Sequence, residues 1–203
     1  MPATRAVPLR LDAALPYLLI AAAIIGLLSS FALTYDKIQL LQDPSYRPSC
    51  NINPILSCVS VMKTEQASFL GVPNTIFGLI AFSMLLAFGA LLAGGAQVNR
   101  LIWLGAQVAA TIGVFFMHHL FFQGVFVINA ICPWCFLVWM ITIPTFLHIT
   151  LRNLRHGVIR LPARLSGLSI FVQKHHVDIL VLWYCVILGL ILQHFWYFWT
   201  SLI

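Results

Sequence analysis

Five long apolar runs separated by polar segments set the pattern of this sequence. We predict membrane-crossing helices over residues 15–33, 74–92, 101–122, 130–150 and 179–199, because about 20 apolar residues in a helix cross a hydrocarbon core roughly 30 Å thick. No charged residue lies between Leu101 and Leu151, and a run of about 50 residues is too long for one crossing. We expect it to turn back near Gln123-Gly124 or Asn129. The pattern predicts an all-α integral membrane protein with a single domain.

The first apolar run fits two kinds of segment. It resembles a signal peptide, and Ser30-Phe31-Ala32 fits a cleavage site. Its apolar length exceeds the core of about 7–15 residues that signal peptides use. We therefore expect a retained span that ends at Tyr35-Asp36-Lys37 and leads into a polar loop over residues 36–72.

Composition and charge agree with a membrane protein. Of the 203 residues, 61% are hydrophobic and only 8% are charged. The net charge of +6 comes from basic residues that lie beside the apolar runs. This distribution is typical of membrane topology, so we do not expect nucleic-acid binding.

The positions of Lys and Arg predict the orientation in the membrane. Arg5 and Arg10 precede the first span, Arg100 follows the second, and the loop over residues 152–176 is basic throughout, with no acidic residue. Cytoplasmic segments carry an excess of Lys and Arg. We therefore expect a cytoplasmic N-terminus, with loop 36–72 on the outer side, and contact of the basic loop with anionic lipid headgroups.

A reactive-thiol motif, Cys132-Pro133-Trp134-Cys135, lies within the apolar sequence. Proline suits the first turn of a helix, so we expect Cys132 at a helix start and Cys135 one turn inside. The positive end of the helix dipole stabilises a thiolate there, and the thiolate is the form that attacks disulfides. The motif alone would also fit half of a zinc site or an inert apolar pair.

The predicted topology places Cys50 and Cys58 on the same side of the membrane as Cys132 and Cys135. Disulfides form and persist on the outer side of a bacterial membrane or in the lumen of the endoplasmic reticulum, so two outward-facing pairs favour a thiol relay. A closed zinc site is the structural alternative, although the spacing of Cys50 and Cys58 is wider than zinc sites normally use. Cys185, in the middle of the last span, is expected to be a buried small apolar residue.

Three segments carry a resemblance to a known family. They read Cys50-Asn51-Ile52-Asn53-Pro54-Ile55-Leu56-Ser57-Cys58, Phe69-Leu70-Gly71-Val72-Pro73-Asn74-Thr75-Ile76-Phe77-Gly78 and Asn129-Ala130-Ile131-Cys132-Pro133-Trp134-Cys135. Over most of its length the sequence resembles the bacterial vitamin K epoxide reductase family, in its stand-alone type without a fused thioredoxin domain. The resemblance implies a four-helix transmembrane bundle around a quinone, a fifth peripheral transmembrane helix, and a short amphipathic cap helix in the first extracytoplasmic loop.

The side chains of residues 59–70 fit such a cap. The apolar ones, which would face the membrane, are Val59, Met62, Phe69 and Leu70, and the polar ones, which would face water, are Lys63, Glu65 and Gln66. The segment is too short to span a bilayer. A partly ordered loop is the alternative.

The resemblance also implies an electron path. A reduced thioredoxin-like protein outside the bacterial inner membrane would attack the outer pair at Cys50, and Cys58 would then attack Cys132 and release Cys135. Cys135 would face and reduce a membrane quinone of the menaquinone, ubiquinone or phylloquinone type, and the protein would support disulfide formation in exported proteins. A thiol-driven quinone or quinone-epoxide reductase uses the same residues and is the alternative.

The resemblance also implies residues that contact the quinone. Asn74 matches the family's asparagine at a quinone carbonyl, although it also fits a helix N-cap. Thr64 stands where the family often has serine, and Trp139 replaces a tyrosine that donates to the second carbonyl. Five phenylalanines are candidates for the cavity wall, although they also fit packing or interface positions: Phe77, Phe115, Phe116, Phe121 and Phe122.

Two other functions are weighed against the thiol relay. A four-helix haem protein that reacts with quinone would use His118 and His119 together with His148 and His194, but these four are scattered over both ends of the spans. A membrane metal carrier would need all four cysteines reduced at once. We expect neither, and no metal cofactor.

Overall fold

The structure, a computed structural model, describes residues 10–69 and 71–200 and is helical over most of that length. The long helices are α1 (Arg10–Gln42), α3 (Asn74–Ala93), α4 (Arg100–Phe122), α5 (Pro133–Arg155) and α7 (His176–His194). The short elements are α2 (Cys58–Met62), α6 (Ser166–Lys174), α8 (Trp196–Thr200), two 3-10 turns (Glu65–Ala67 and Ala163–Leu165), a π-helix (Gln123–Ile128) and a two-residue β-pair, β1 (Ser68–Phe69) with β2 (Val72–Pro73).

Five of the described helices, α1, α3, α4, α5 and α7, are long and apolar enough to cross a membrane. Many of their large apolar side chains are exposed on the outside, among them Leu28, Met84 and Leu182. An exposed apolar exterior suits a hydrocarbon solvent. The prediction of an all-α membrane protein is confirmed.

Four of these helices form the bundle, and the fifth lies outside it. Helix α1 packs against α3 and α5, and α5 packs against α4. Helix α7 contacts α5 and the π-helix, and polar contacts attach it: Trp183 Nε1 donates to His118 Nε2 at 3.0 Å, and the Tyr184 hydroxyl donates to the Met140 carbonyl. The fifth helix is therefore peripheral, as expected.

Helix α1 continues past Tyr35-Asp36-Lys37, where the first span was expected to end, and stops only at Gln42. The charged side chains do not interrupt it because both have partners. Asp36 accepts a hydrogen bond from the Tyr46 hydroxyl at 3.0 Å, and Lys37 Nζ donates to the Met62 carbonyl at 2.6 Å. The polar loop therefore begins about two turns later than the sequence pattern indicated.

The turn between the third and fourth spans is a π-helix that is followed by Asn129. Asn129 has a φ of 57°, in the left-handed region, and its backbone N–H donates to the Gly124 carbonyl. Asparagine tolerates this conformation better than most residues. The chain reversal predicted near Gln123-Gly124 or Asn129 is found there.

The last span also differs from its predicted bounds. Helix α7 begins at His176 and ends at His194, whereas the pattern predicted residues 179–199. Phe195 is fully buried and ends the helix before the short α8. Cys185 is exposed on the outer face of α7, so its predicted burial is wrong.

Several of the basic residues lie together at one end of the bundle, whereas Lys37, Arg47 and Lys63 lie in or beside the polar loop. Asp12, near the start of α1, contacts His156, just beyond α5, at 3.3 Å. Arg100 donates to the Val158 carbonyl, and Arg152 stacks over the Trp103 ring at 3.5 Å. The cysteines of the polar loop lie at the opposite end.

Helices α1 and α3 pack closely at Gly89. A Cβ added there would lie 2.9 Å from Ile20 Cγ1 and 3.3 Å from Leu19 Cβ. We therefore expect Gly89→Val to destabilise the bundle by about 1–3 kcal/mol through overpacking, measured by thermal unfolding in detergent. The control is Gly105→Val on α4, where an added Cβ meets nothing within 4 Å. Equal melting temperatures for the two variants would contradict this packing.

Candidate functional site

Four cysteines meet at the end of the bundle that carries the polar loop. Cys50 and Cys58 form a disulfide with a Cα–Cα distance of 5.7 Å. The sulfur of Cys132 lies 3.2 Å from the sulfur of Cys58, and these two residues are 2% and 0% exposed. Cys135, one helical turn further on, has a free thiol. The sulfurs form a continuous path from the loop into the bundle.

Backbone hydrogen bonds hold the loop against the start of α5. Ile131 N donates to the Ile55 carbonyl at 2.7 Å, and Ser57 N donates to the Ile131 carbonyl at 3.1 Å. Leu56 and Ile131 thereby pair as a parallel bridge. Cys58 directly follows Ser57, and Cys132 directly follows Ile131. The hydrogen bond between Ser57 and Ile131 therefore places Cys58 beside Cys132.

The loop has its own internal support. Asn51 pairs with Ser57 in an antiparallel bridge, and Asn53 Oδ1 accepts hydrogen bonds from the backbone amides of Ile55 and Leu56 at 2.9 and 2.7 Å. Ser57 caps α2 by accepting from Ser60 N. The asparagines and serine of the Cys50–Cys58 segment therefore shape the turn that presents Cys58.

Cys132 is the N-cap of α5 and Pro133 its first residue, as the motif predicted. A hydrogen bond from the Cys135 thiol lowers the pKa of the Cys132 thiol, and the backbone amides of Cys135 and Trp134 add to this effect. Burial opposes the shift, and the negative charge of Asp36 opposes it to a smaller extent. The net effect is a lowered pKa for the Cys132 thiol, whose sulfur lies 3.2 Å from the sulfur of Cys58.

Cys50 is less accessible than a contact with a protein partner requires. It is only 5% exposed, although its neighbours Ser49 and Asn51 are exposed. A thiol of another protein can reach Cys50 only if the loop opens locally. Upstream of Cys50, the loop residues Asp43 to Ser45 are exposed.

A cavity lies beside Cys132 and Cys135. Its roof comes from the loop, and its walls come from α1, the start of α3, the end of α4 with the π-helix, and α5. The lining residues are Leu33, Val61, Met62, Gln66, Ala67, Asn74, Thr75, Leu120, Gln123, Gly124, Ile128, Ala130, Cys132, Cys135 and Trp139. Most are apolar, with a few polar groups among them, which is the composition of a site for an apolar ligand with polar ends.

Two of the four residues predicted to contact quinone line this cavity. Asn74 Nδ2 donates to the Gln66 carbonyl at 2.7 Å, and within residues 10–69 and 71–200 its buried Oδ1 has no partner. The N-cap of α3 is Pro73, so the alternative of Asn74 as the cap is wrong. Trp139 is 3% exposed and packs edge-on against Phe121, with ring centroids 5.1 Å apart.

The other two lie away from the cavity wall. The Thr64 hydroxyl donates to the Val61 carbonyl at 2.8 Å, and Thr64 begins the 3-10 turn of the roof. Phe77 is 39% exposed on α3. Phe115 and Phe122 are more exposed still, which suits contact with lipid.

The cap helix is shorter than expected, and one of its apolar residues faces the interior of the protein instead of the membrane. It consists of the five-residue α2 and the following 3-10 turn, with Lys63 and Glu65 exposed as predicted. Met62 was expected to face the membrane, but it is 5% exposed and packs against the cysteines. Helix α2 starts at Cys58, which fixes the rotation of the segment. The Phe69 side chain and Leu70 lie outside the described part of the structure.

Three polar cavity residues were not predicted as site residues: Gln66, Thr75 and Gln123. Gln123 is a polar residue in a long run without charged residues, and such a position is typical of a turn as well as of a ligand contact. Thr75 accepts a hydrogen bond from the Thr34 hydroxyl at 2.8 Å, which links α3 to α1 beside the cavity.

Three of the four histidines considered for haem have other hydrogen-bond partners. His118 uses both ring nitrogens, one with the Val114 carbonyl and the other with Trp183. His148 contacts the Pro144 carbonyl, and His194 contacts Asn129. In the part of the chain that the structure describes, no three His, Cys, Asp or Glu side chains are grouped as metal ligands.

Comparison with known proteins identifies one family. The model of the vitamin K epoxide reductase family matches residues 17–150. The matched region is more than half of the chain and contains the four clustered cysteines and the whole cavity lining. No curated protein matches the sequence significantly.

Proposed function

The chain belongs to the vitamin K epoxide reductase family of membrane-bound, thiol-dependent quinone oxidoreductases, and on that premise we propose that it relays electrons between two cysteine pairs. Electrons enter from a reduced thioredoxin-like protein at Cys50 and Cys58, pass to Cys132 and Cys135, and leave to a membrane quinone. The observation that carries this proposal is the 3.2 Å separation of the Cys58 and Cys132 sulfurs.

The first step is exchange with the partner protein. A partner thiolate attacks Cys50 in the Cys50–Cys58 disulfide, and Cys58 leaves as a thiolate. The second partner thiol then attacks the mixed disulfide, so the partner becomes oxidised and the pair in this chain becomes a dithiol. The burial of Cys50 makes opening of the loop a part of this step.

The second step moves the electrons inward. The Cys58 thiolate attacks Cys132 in a Cys132–Cys135 disulfide, and Cys135 leaves. Cys50 then attacks Cys58, which restores the Cys50–Cys58 disulfide and releases Cys132. The state seen here, with the outer pair oxidised and the inner pair reduced, corresponds to the end of this step.

The third step reduces the quinone. Cys132 and Cys135 give up two electrons and two protons, their disulfide forms, and the quinone becomes a quinol. Cys135 lines the cavity beside Trp139. Asn74 and Gln123 supply polar groups for the quinone oxygens, and the apolar walls keep water from the reacting sulfur. The same dithiol would drive reduction of a quinone epoxide.

The proposed location follows from charge. The basic residues at the opposite end, including Arg100, Arg152 and Arg155, would face the cytoplasm of a bacterium. The cysteines would then lie on the extracytoplasmic side of the inner membrane, where oxidation of a thioredoxin-like partner supports disulfide formation in exported proteins.

Replacing each cysteine in turn tests the relay. With a reduced thioredoxin-like donor, we expect Ala at Cys50, Cys58, Cys132 or Cys135 to lower quinone reduction to the rate without protein. With a small dithiol that reduces the inner pair directly, Cys50→Ala should remain active. The matched control is Cys185→Ala, on the exposed face of α7. Quinone reduction that persists without Cys132 and Cys135 would refute the mechanism.

Replacing Gln123 tests the cavity as the quinone site. We expect Gln123→Leu to raise the KM for quinone about 3- to 10-fold, since a lost hydrogen bond costs about 0.5–1.5 kcal/mol. The kcat with saturating quinone should change less. Phe77→Leu, on the exposed side of α3, is the control and should leave the KM unchanged. A larger effect at Phe77 than at Gln123 would place the quinone elsewhere.

A further inference from the structure

A buried carboxylate lies beside the outer disulfide. Asp36, on α1, is 7% exposed, and its Oδ2 is 3.9 Å from the sulfur of Cys50. Its other oxygen accepts a hydrogen bond from the Tyr46 hydroxyl at 3.0 Å. The three steps above assign no part to this group.

In the described part of the chain, no basic side chain forms an ion pair with Asp36. Its neighbour Lys37 donates instead to the Met62 carbonyl. The ionisable groups around it are Tyr46 and Cys50 from the loop and Cys132 from the start of α5. The hydrogen bond to Asp36 raises the pKa of Tyr46, so Tyr46 remains a donor.

A buried carboxylate without a cation is costly, so a function is the more economical explanation. The relay creates a specific need for a base at this point. Cys50 can attack Cys58 only as a thiolate, but a thiol is mostly protonated near neutral pH, with an ordinary pKa of about 8.5. In the reduced pair the Cys50 thiol would point its proton toward a carboxylate oxygen within sulfur hydrogen-bond distance.

We propose, resting on the relay proposed above, that Asp36 is the base that accepts the proton of Cys50 when Cys50 attacks the Cys58–Cys132 disulfide. The Cys50–Cys58 bond forms, the Cys58–Cys132 bond breaks, and Cys132 leaves as a thiolate. Protonated Asp36 then returns the proton to Cys132. The net reaction converts the Cys50 thiol and the Cys58–Cys132 disulfide into the Cys50–Cys58 disulfide and the Cys132 thiol, with no change in proton number.

Tyr46 is a positioning residue in this arrangement. Its hydroxyl holds one oxygen of Asp36, which directs the other toward Cys50. Tyr46→Phe keeps the carboxylate and should therefore slow the step less than Asp36→Asn does.

The test follows the Cys58–Cys132 disulfide in reduced protein mixed with quinone and quenched with acid, at pH values from 6 to 9. Asp36→Asn keeps the shape of the side chain but removes the base. We expect the mixed disulfide to accumulate and to resolve about 100-fold more slowly near pH 6.5. The rate should approach that of wild type near pH 9, where Cys50 loses its proton to water. That recovery would also show that the variant is folded.

Asp43→Asn is the matched control, because Asp43 is an exposed carboxylate at the same end whose partner is Ser45. It should behave as wild type at each pH. A loss in Asp36→Asn that is the same at every pH, or no loss at all, would overturn the role of Asp36. If wild type never forms a Cys58–Cys132 disulfide, the relay itself fails, so the two failures are distinguishable.

Discussion

The backbone pairing between the loop and residue Ile131 is the interaction on which the site depends. It fixes the register of two segments that are far apart in sequence, so that Cys58 and Cys132 lie with their sulfurs 3.2 Å apart. Exchange between sulfurs requires such contact, because a thiolate must reach the disulfide it attacks. Without the pairing, the loop pair and the helix pair would be two separate thiol sites.

The bundle gives the two pairs different surroundings. Cys50 and Cys58 belong to a loop whose upstream residues are exposed, whereas Cys135 lines an apolar cavity between helices. In the proposed relay, a protein donor and a membrane quinone cannot approach the same sulfur from one solvent. Two cysteine pairs answer this constraint, and the relay then requires a loop that opens at Cys50 and closes again over Cys58 and Cys132.

Sequence reasoning predicted the features that depend on local pattern. Apolar runs gave the five long helices, and proline gave the position of Cys132 at the start of α5. It failed where side-chain direction depends on tertiary contacts. Asp36 and Lys37 continue α1 because the loop supplies partners, and Met62 faces inward because α2 starts at Cys58. The prediction for Cys185, which is exposed, was wrong because a membrane exterior is as apolar as a core. An apolar sequence pattern therefore does not distinguish the two faces of a peripheral helix.

The order in which the two disulfides form tests the relay most directly. Fully reduced protein is mixed with quinone without oxygen, quenched at successive times, alkylated, and mapped by mass spectrometry. The account predicts that the Cys132–Cys135 disulfide forms first and that Cys50–Cys58 follows as Cys132 returns to a thiol. In Cys132→Ala, Cys50–Cys58 should remain reduced. A Cys50–Cys58 disulfide that forms first, or at an unchanged rate in Cys132→Ala, would contradict electron transfer through the Cys58–Cys132 contact.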